Sequence, residues 1–156
     1  MRLFRITRVA HGTREEAFSG IGVTMAAMRW TRKHAALRGV YVADSLALSC
    51  LETLVHLNMK PRVFPRSVYF VLEIPGAHIE VADLKDLPAD WKADVPTPAC
   101  QDYGTEFLVS KRAVGLALPT VIQADGTNVL LNPMHQAFDL TWISGPFPYE
   151  YDERLA

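Results

Sequence analysis

Four polar residues stand where the surrounding pattern favours apolar ones. Arg29 precedes Trp30 after a run of small residues, and Tyr41 sits inside the short apolar stretch VYVA. Glu52 lies within SCLETLVHL, and Thr120 follows Pro119 inside AVGLALPTVIQA. Singly, each has an ordinary reading: a surface cation, a core aromatic, a boundary acid and a strand hydroxyl. Together they supply a planar cation, an aromatic face, a carboxylate and a hydroxyl. Those are the groups needed to hold a phosphorylated, ring-bearing ligand and act on its sugar.

The setting of Glu52 sharpens this. On a wheel of about 100° per residue, Ala47, Leu48, Cys50, Leu51, Leu54, Val55 and Leu57 form a wide apolar arc, and Ser45, Ser49, Glu52, Thr53 and His56 fill the other side. A helix face that only meets water usually carries Lys, Arg and several Glu. Here Glu52 is the one full charge. It lies beyond the first turn, where a capping partner belongs, and Asp44 or Ser45 is the expected N-cap. Ser49 and His56 fall on its side of the helix, His56 as a satisfied structural histidine.

Other chemistries find no support. The histidines at 11, 34, 56, 78 and 135 show no ligand spacing, so no metal site is expected. Gly20 and Gly22 are followed neither by a third glycine nor by Lys-Ser/Thr, which removes the usual phosphate-cradling loops. No serine has a nucleophile elbow around it. Cys50 and Cys100 stand in no metal or redox spacing; Cys50 reads as core, Cys100 as a loop thiol, and a disulfide between them is not expected.

The elements that must position these residues follow from periodicity and breakers. Residues 3–7 read as a first strand, and Gly20, Ile21 and Gly22 as a turning loop before Trp30. Residues 40–43 form a compact strand, followed by a helix over 45–58 and the breaker MKPRVFPR. SVYFVLEI, residues 67–74, is the strongest strand signal, ended by Pro75-Gly76. Residues 78–83 suit another strand, 84–104 a proline-rich loop, and 105–110 a short helix. Residues 113–124 give strand material bent at Pro119, then an Asp125-Gly126 turn, the short strand NVLLNP and a last strand, DLTWI. Several strands without regular alternation with helices indicate an α+β fold rather than a parallel α/β one.

A chain of 156 residues with 49% hydrophobic content suffices for a single compact domain, residues 1–156. Its net charge of -1, with cations dispersed apart from RWTRKH, argues against a nucleic-acid binder. No apolar run is long enough to cross a bilayer, and MRLFRITR lacks the apolar core of a secretion signal. A cytoplasmic location is expected, with no membrane association.

The chain resembles the RES domain family, the toxin half of a bacterial toxin–antitoxin pair. The resemblance rests on RLFRI, Arg29-Trp30, VYVADSLALSCLETLVHL, the central strand ending in IP, DYGTEFL and LPTVIQADGTNVLLNPMH. The Arg, Glu and Ser that name the family fall on Arg29, Glu52 and Thr120. This chain departs from the family's Gly-Arg-Trp-Asn with Met28-Arg29-Trp30-Thr31, and from its Pro-Ser with Pro119-Thr120. Threonine keeps the hydroxyl but adds a methyl and stiffens χ1.

The resemblance implies an ADP-ribosyltransferase-like fold with a split, mostly antiparallel β core and few helices. It implies NAD as substrate, without a metal, and cleavage of its nicotinamide–ribose bond by hydrolysis or phosphorolysis. Alternatives are mono-ADP-ribosylation of a protein target and an inactive module that only binds its antitoxin. On this reading Glu52 stabilises the ribosyl cation, Arg29 binds pyrophosphate or ribose, Tyr41 borders the nicotinamide, and Thr120 donates to phosphate or ribose, while the serines leave room for ligand. Arg5 is a further candidate for phosphate contact, its alternative being a surface position. The implied partner is an Xre-like helix-turn-helix antitoxin, and a homodimer is plausible for so small a domain.

Overall fold

The first strand has two covered faces. In the computed structural model, which describes residues 1–57 and 63–155, β1 (Arg2–Arg8) buries Leu3 on one side of the sheet and Ile6 on the other, because successive side chains alternate across a strand. Two single-turn helices, α1 (Arg14–Ala17) and α2 (Gly22–Met25), precede β2 (Val40–Ala43) and α3 (Leu46–His56). Next come β3 (Ser67–Glu73), β4 (Ile79–Val81), α4 (Pro98–Ser110), β5 (Gly115–Pro119), β6 (Thr127–Leu131) and β7 (Ile143–Tyr149). The seven strands form a sheet in the order β4-β5-β6-β2-β1-β3-β7. Only the β4–β5 pairing is parallel, so the fold is α+β and mostly antiparallel, as expected.

The sheet opens between β1 and β2. Their one registered pair is Phe4 with Ala43, whereas β1 and β3 stay paired along their whole length. Past the junction the freed backbone groups find side chains instead. Ser49 Oγ accepts from the Ile6 amide at 3.0 Å, and the Arg5 guanidinium donates to the Tyr41 carbonyl at 2.8 Å. Unpaired backbone groups at this depth would otherwise be costly.

Register places both longer helices on one side of the sheet. Phe4 opposes Ala43, and Ala43 opposes Asn128. Tyr41, Leu130 and Leu116 lie across from one another on that same side. Its β1–β3–β7 half meets α3, with Cys50 and Leu54 clustered around Ile6, Tyr69 and Tyr149. The β5–β6–β2 half meets α4, where Cys100, Phe107 and Leu108 pack with Trp30, Leu116, Leu118 and Leu130. The reverse side is covered by Ala17, Phe18, Phe138, Leu140 and Trp142. Glu52, one turn beyond Ser49 on α3, thus reaches across this side of the sheet to Thr120 and to Asn128 on β6.

Several elements depart from the sequence reading. The short helix expected over 105–110 is the second half of a 13-residue helix that starts at Pro98. Thr97 caps it by accepting from the Cys100 amide, and Pro98 occupies the first turn, where its missing amide costs nothing. Cys100 is therefore a fully buried core residue and not a loop thiol. DLTWI is not the last strand: Leu140–Trp142 is a single 3-10 turn, and β7 runs on through Pro146 and Pro148 at the sheet edge, where an absent amide is tolerated. Gly20 turns the chain at φ +70, but Gly22 opens α2 instead of extending the loop. The end expected for the helix at 58, and the first half of the MKPRVFPR breaker, lie outside the described residues. Among the described residues no helix is long and apolar enough to cross a membrane.

Candidate active site

Ser45 starts α3 by accepting from the Leu48 amide at 3.1 Å, which fixes the helix phase and directs Glu52 away from the apolar arc. There Glu52 Oε1 accepts from Thr120 Oγ1 at 2.9 Å and from the Asn128 side-chain amide. Both partners are donors, which suits a group that when ionised only accepts. Thr120 is held in turn. Its hydroxyl oxygen accepts from the Ile122 amide at 3.2 Å, and its own amide donates to the Gly126 carbonyl at 3.3 Å. A Cβ at Gly126 would lie 2.7 Å from the Thr120 methyl, so the turn needs glycine for that methyl to fit.

Tyr41 lies near Glu52, on β2. Its hydroxyl shares a hydrogen bond of 3.1 Å with the fully buried Thr31. Burial pushes the phenol above its ordinary value; bonds to Thr31 and the Trp30 backbone offset part of this, and the charge of Glu52 adds to it. Tyr41 therefore stays protonated, an aromatic edge with a neutral hydroxyl rather than a base. Beneath it, burial lowers the Arg5 guanidinium to about 10, still charged at neutral pH. Arg5 Nε is buried without a partner. Arg5 is thus not the surface residue of the alternative reading.

Arg29 and Trp30 are the two central residues of a tight turn closed by hydrogen bonds between Met28 and Thr31. Trp30 turns inward and is 2% exposed. Arg29 turns the other way and donates to the carbonyls of Trp91 at 3.0 Å and Ala93 at 2.8 Å, with a longer contact of 3.4 Å to that of Asp94. Trp91 stacks near Trp30 at 6.3 Å between ring centroids and 29° between planes. Trp91, Lys92 and Thr120 are among the residues that line one cleft of about 690 Å³, a size suited to a small-molecule ligand.

The structure brings Glu52, Thr120 and Tyr41 near one another, with Arg5 behind Tyr41. Arg29 is joined to them through the wall it holds, with no direct hydrogen bond to any of them among the described residues. Ser49 does not leave room for ligand, because its hydroxyl serves the Ile6 amide. This is a second reason for the uncharged helix face. His56 lines a separate hollow with His11 and Ser67. Sequence reasoning missed Asn128, whose one signal was an amide inside a strand where such residues are uncommon, and Trp91, lost in the proline-rich stretch.

The fold and site thus define an α+β protein with a hydrogen-bonded carboxylate on a helix packed against its sheet. The RES domain family matches residues 2–152, and the chain belongs to that family. It is 34% identical to "Toxin Res" of Yersinia enterocolitica over 99% of both chains. It is 34% identical to "Toxin Res" of Photorhabdus laumondii over 88% of this chain and 85% of that one. A relative from Sphingobium, "Prs ADP-ribosylating toxin", is 36% identical over 85% of this chain and 82% of its own.

Proposed function

We propose that this protein is the toxin of a toxin–antitoxin pair, a single RES-like domain over residues 1–156 that acts in the cytoplasm. It binds NAD and cleaves the nicotinamide–ribose bond. The observation that carries the reading is Glu52 fixed by Thr120 and Asn128 near Tyr41. Departure of nicotinamide leaves positive charge on the ribose, and a carboxylate already oriented at that position lowers the barrier without reorganising. Thr120 and Asn128 hold the carboxylate in place. Tyr41 borders the ring, and Arg5 and the remaining donors of Arg29 serve the charged part of the substrate. The acceptor is water or phosphate. The partner is an Xre-like helix-turn-helix antitoxin.

A second reading, transfer of ADP-ribose to a protein target, is favoured by the name of the Sphingobium relative. Both share the first step, so one experiment separates them. Purified, antitoxin-free protein is incubated with labelled NAD, with and without inorganic phosphate and with cell extract, beside Glu52→Gln. Nicotinamide release that falls at least a hundredfold in the variant supports the enzyme, given the usual cost of removing one fixed electrostatic stabiliser. Its dependence on phosphate names the acceptor, and label on a discrete protein band favours transfer. Release unchanged in Glu52→Gln removes the carboxylate from the mechanism. NAD bound but never cleaved would make the domain an antitoxin-binding module.

A further inference from the structure

The cleft has chemically different parts. Thr120 ties one part to Glu52. Another is formed by Trp91 and Lys92, and here the groups are an indole and a cation. Lys92 Nζ lies 5.1 Å from the centroid of the Trp91 ring, and none of the described ion pairs involves it. Trp91 is held on three counts. Arg29 takes the Trp91 carbonyl at 3.0 Å, the Trp91 amide donates to the Pro88 carbonyl at 3.0 Å, and Trp30 stacks nearby. A platform fixed through its backbone loses little freedom when a flat ring settles on it.

We propose that Trp91 and Lys92 form the subsite for the adenosine diphosphate half of NAD, an inference that rests on the NAD reading above. Adenine stacks on the indole in the place Lys92 now holds, and the displaced ammonium pairs with the pyrophosphate. Charge decides which end of NAD lies here. The nicotinamide ring is a cation; Lys92 repels it, and Glu52 beside the Tyr41 edge attracts it. Adenine is neutral and carries its phosphates next to it, which matches an aromatic face with an adjacent cation. Arg29 is then a positioning residue, acting through the Trp91 and Ala93 carbonyls.

The test uses ADP, which lacks nicotinamide and so reports binding without turnover, measured by calorimetry beside the KM and kcat for NAD. Trp91→Leu keeps an apolar contact for Trp30 but removes the aromatic face. Its ADP affinity is expected to fall about tenfold and its KM for NAD to rise about tenfold, with kcat unchanged. Lys92→Ala, at an exposed position that leaves the fold intact should Trp91→Leu not fold, is expected to weaken ADP and not adenosine. Nicotinamide release with unaltered ADP affinity and KM in both variants would overturn the subsite alone. Wild-type protein that neither binds ADP nor releases nicotinamide would overturn both readings. ADP binding weakened by these variants without any nicotinamide release would support the subsite and withdraw the enzyme.

Discussion

Thr120 and Glu52, 68 residues apart, are joined by a 2.9 Å hydrogen bond in which the hydroxyl is the donor. The relationship gives the threonine a different task from the one its sequence setting suggested: it orients the carboxylate before it touches any ligand. Thr120→Ser keeps the donor and loses a methyl that packs on Gly126. Its kcat is expected within about threefold of wild type, with a stability loss of about 1 kcal/mol. Thr120→Val keeps the shape and loses the donor, and leaves the Ile122 amide without its acceptor. Steady-state NAD turnover is expected to fall about tenfold to a hundredfold in kcat, with KM little changed, since the loss falls on transition-state placement. Equal kcat in both variants would show that the hydroxyl has no such task.

Asn128 offers a sharper electrostatic test. Its side-chain amide donates to the same Glu52 oxygen as Thr120 does. Asn128→Asp replaces that donor with a carboxylate of nearly the same shape. Two carboxylates sharing one site disfavour having both ionised at once. On acidification turnover is therefore expected to be lost at a higher pH than in wild type, moving the acid limb of the rate profile upward by about one unit. A profile of unchanged shape, merely scaled down, would assign Asn128 to packing alone.

Much of the frame was legible locally. The first strand, the strand at 40–43, the helix carrying Glu52 and the strand at 67–73 each announce themselves by alternation, apolar arc or β-branched content over their own length. The Glu52 site was half legible. The uncharged helix face flagged the carboxylate, and a hydroxyl after Pro119 flagged Thr120. What failed to show was whatever depends on distant chain. Asn128 reaches Glu52 only because β6 pairs with β2 in a register that faces it toward α3. Arg29 looked free for a phosphate, since nothing in Met28 to Thr31 discloses that its guanidinium meets carbonyls more than sixty residues on. The first turns of α4 were hidden because a proline at a helix start and a proline in a loop read alike without the Thr97 cap.

Tyr41 and Arg5 are adjacent and half-buried, with opposite consequences at alkaline pH. The Tyr41 phenol is raised above its ordinary value near 10. Above that pH the folded state holds a proton the unfolded state has lost, and stability falls as pH rises. Arg5, lowered to about 10, works the other way between about 10 and 12.5, where the folded state has lost a proton the unfolded state keeps. Tyr103, Tyr149 and Tyr151 are also raised, each chiefly by burial, so the tyrosines set the net direction. Urea unfolding followed from pH 8 to pH 11 should show declining stability. In Tyr41→Phe the decline above pH 10 is expected to be shallower by up to about 1.4 kcal/mol per pH unit. Identical slopes would mean that the phenol titrates normally.

Gly104 decides whether α4 can sit where it does. Helix propensity alone would make Gly104→Ala stabilising by about 1 kcal/mol. Yet a Cβ at this position would lie 2.0 Å from the Trp30 carbonyl oxygen and 3.0 Å from its Cβ. The obstacle is partly backbone, so no side-chain rotation relieves it. Either α4 moves off the sheet or the turn from Met28 to Thr31 does, and that turn carries Trp30 inward and Arg29 toward the cleft wall. The variant is expected to lose about 3 kcal/mol in urea unfolding. Because Trp91 leans on Trp30, its KM for NAD should also rise. A variant more stable than wild type, with unaltered KM, would show that the helix can shift freely and that the glycine answers no packing demand.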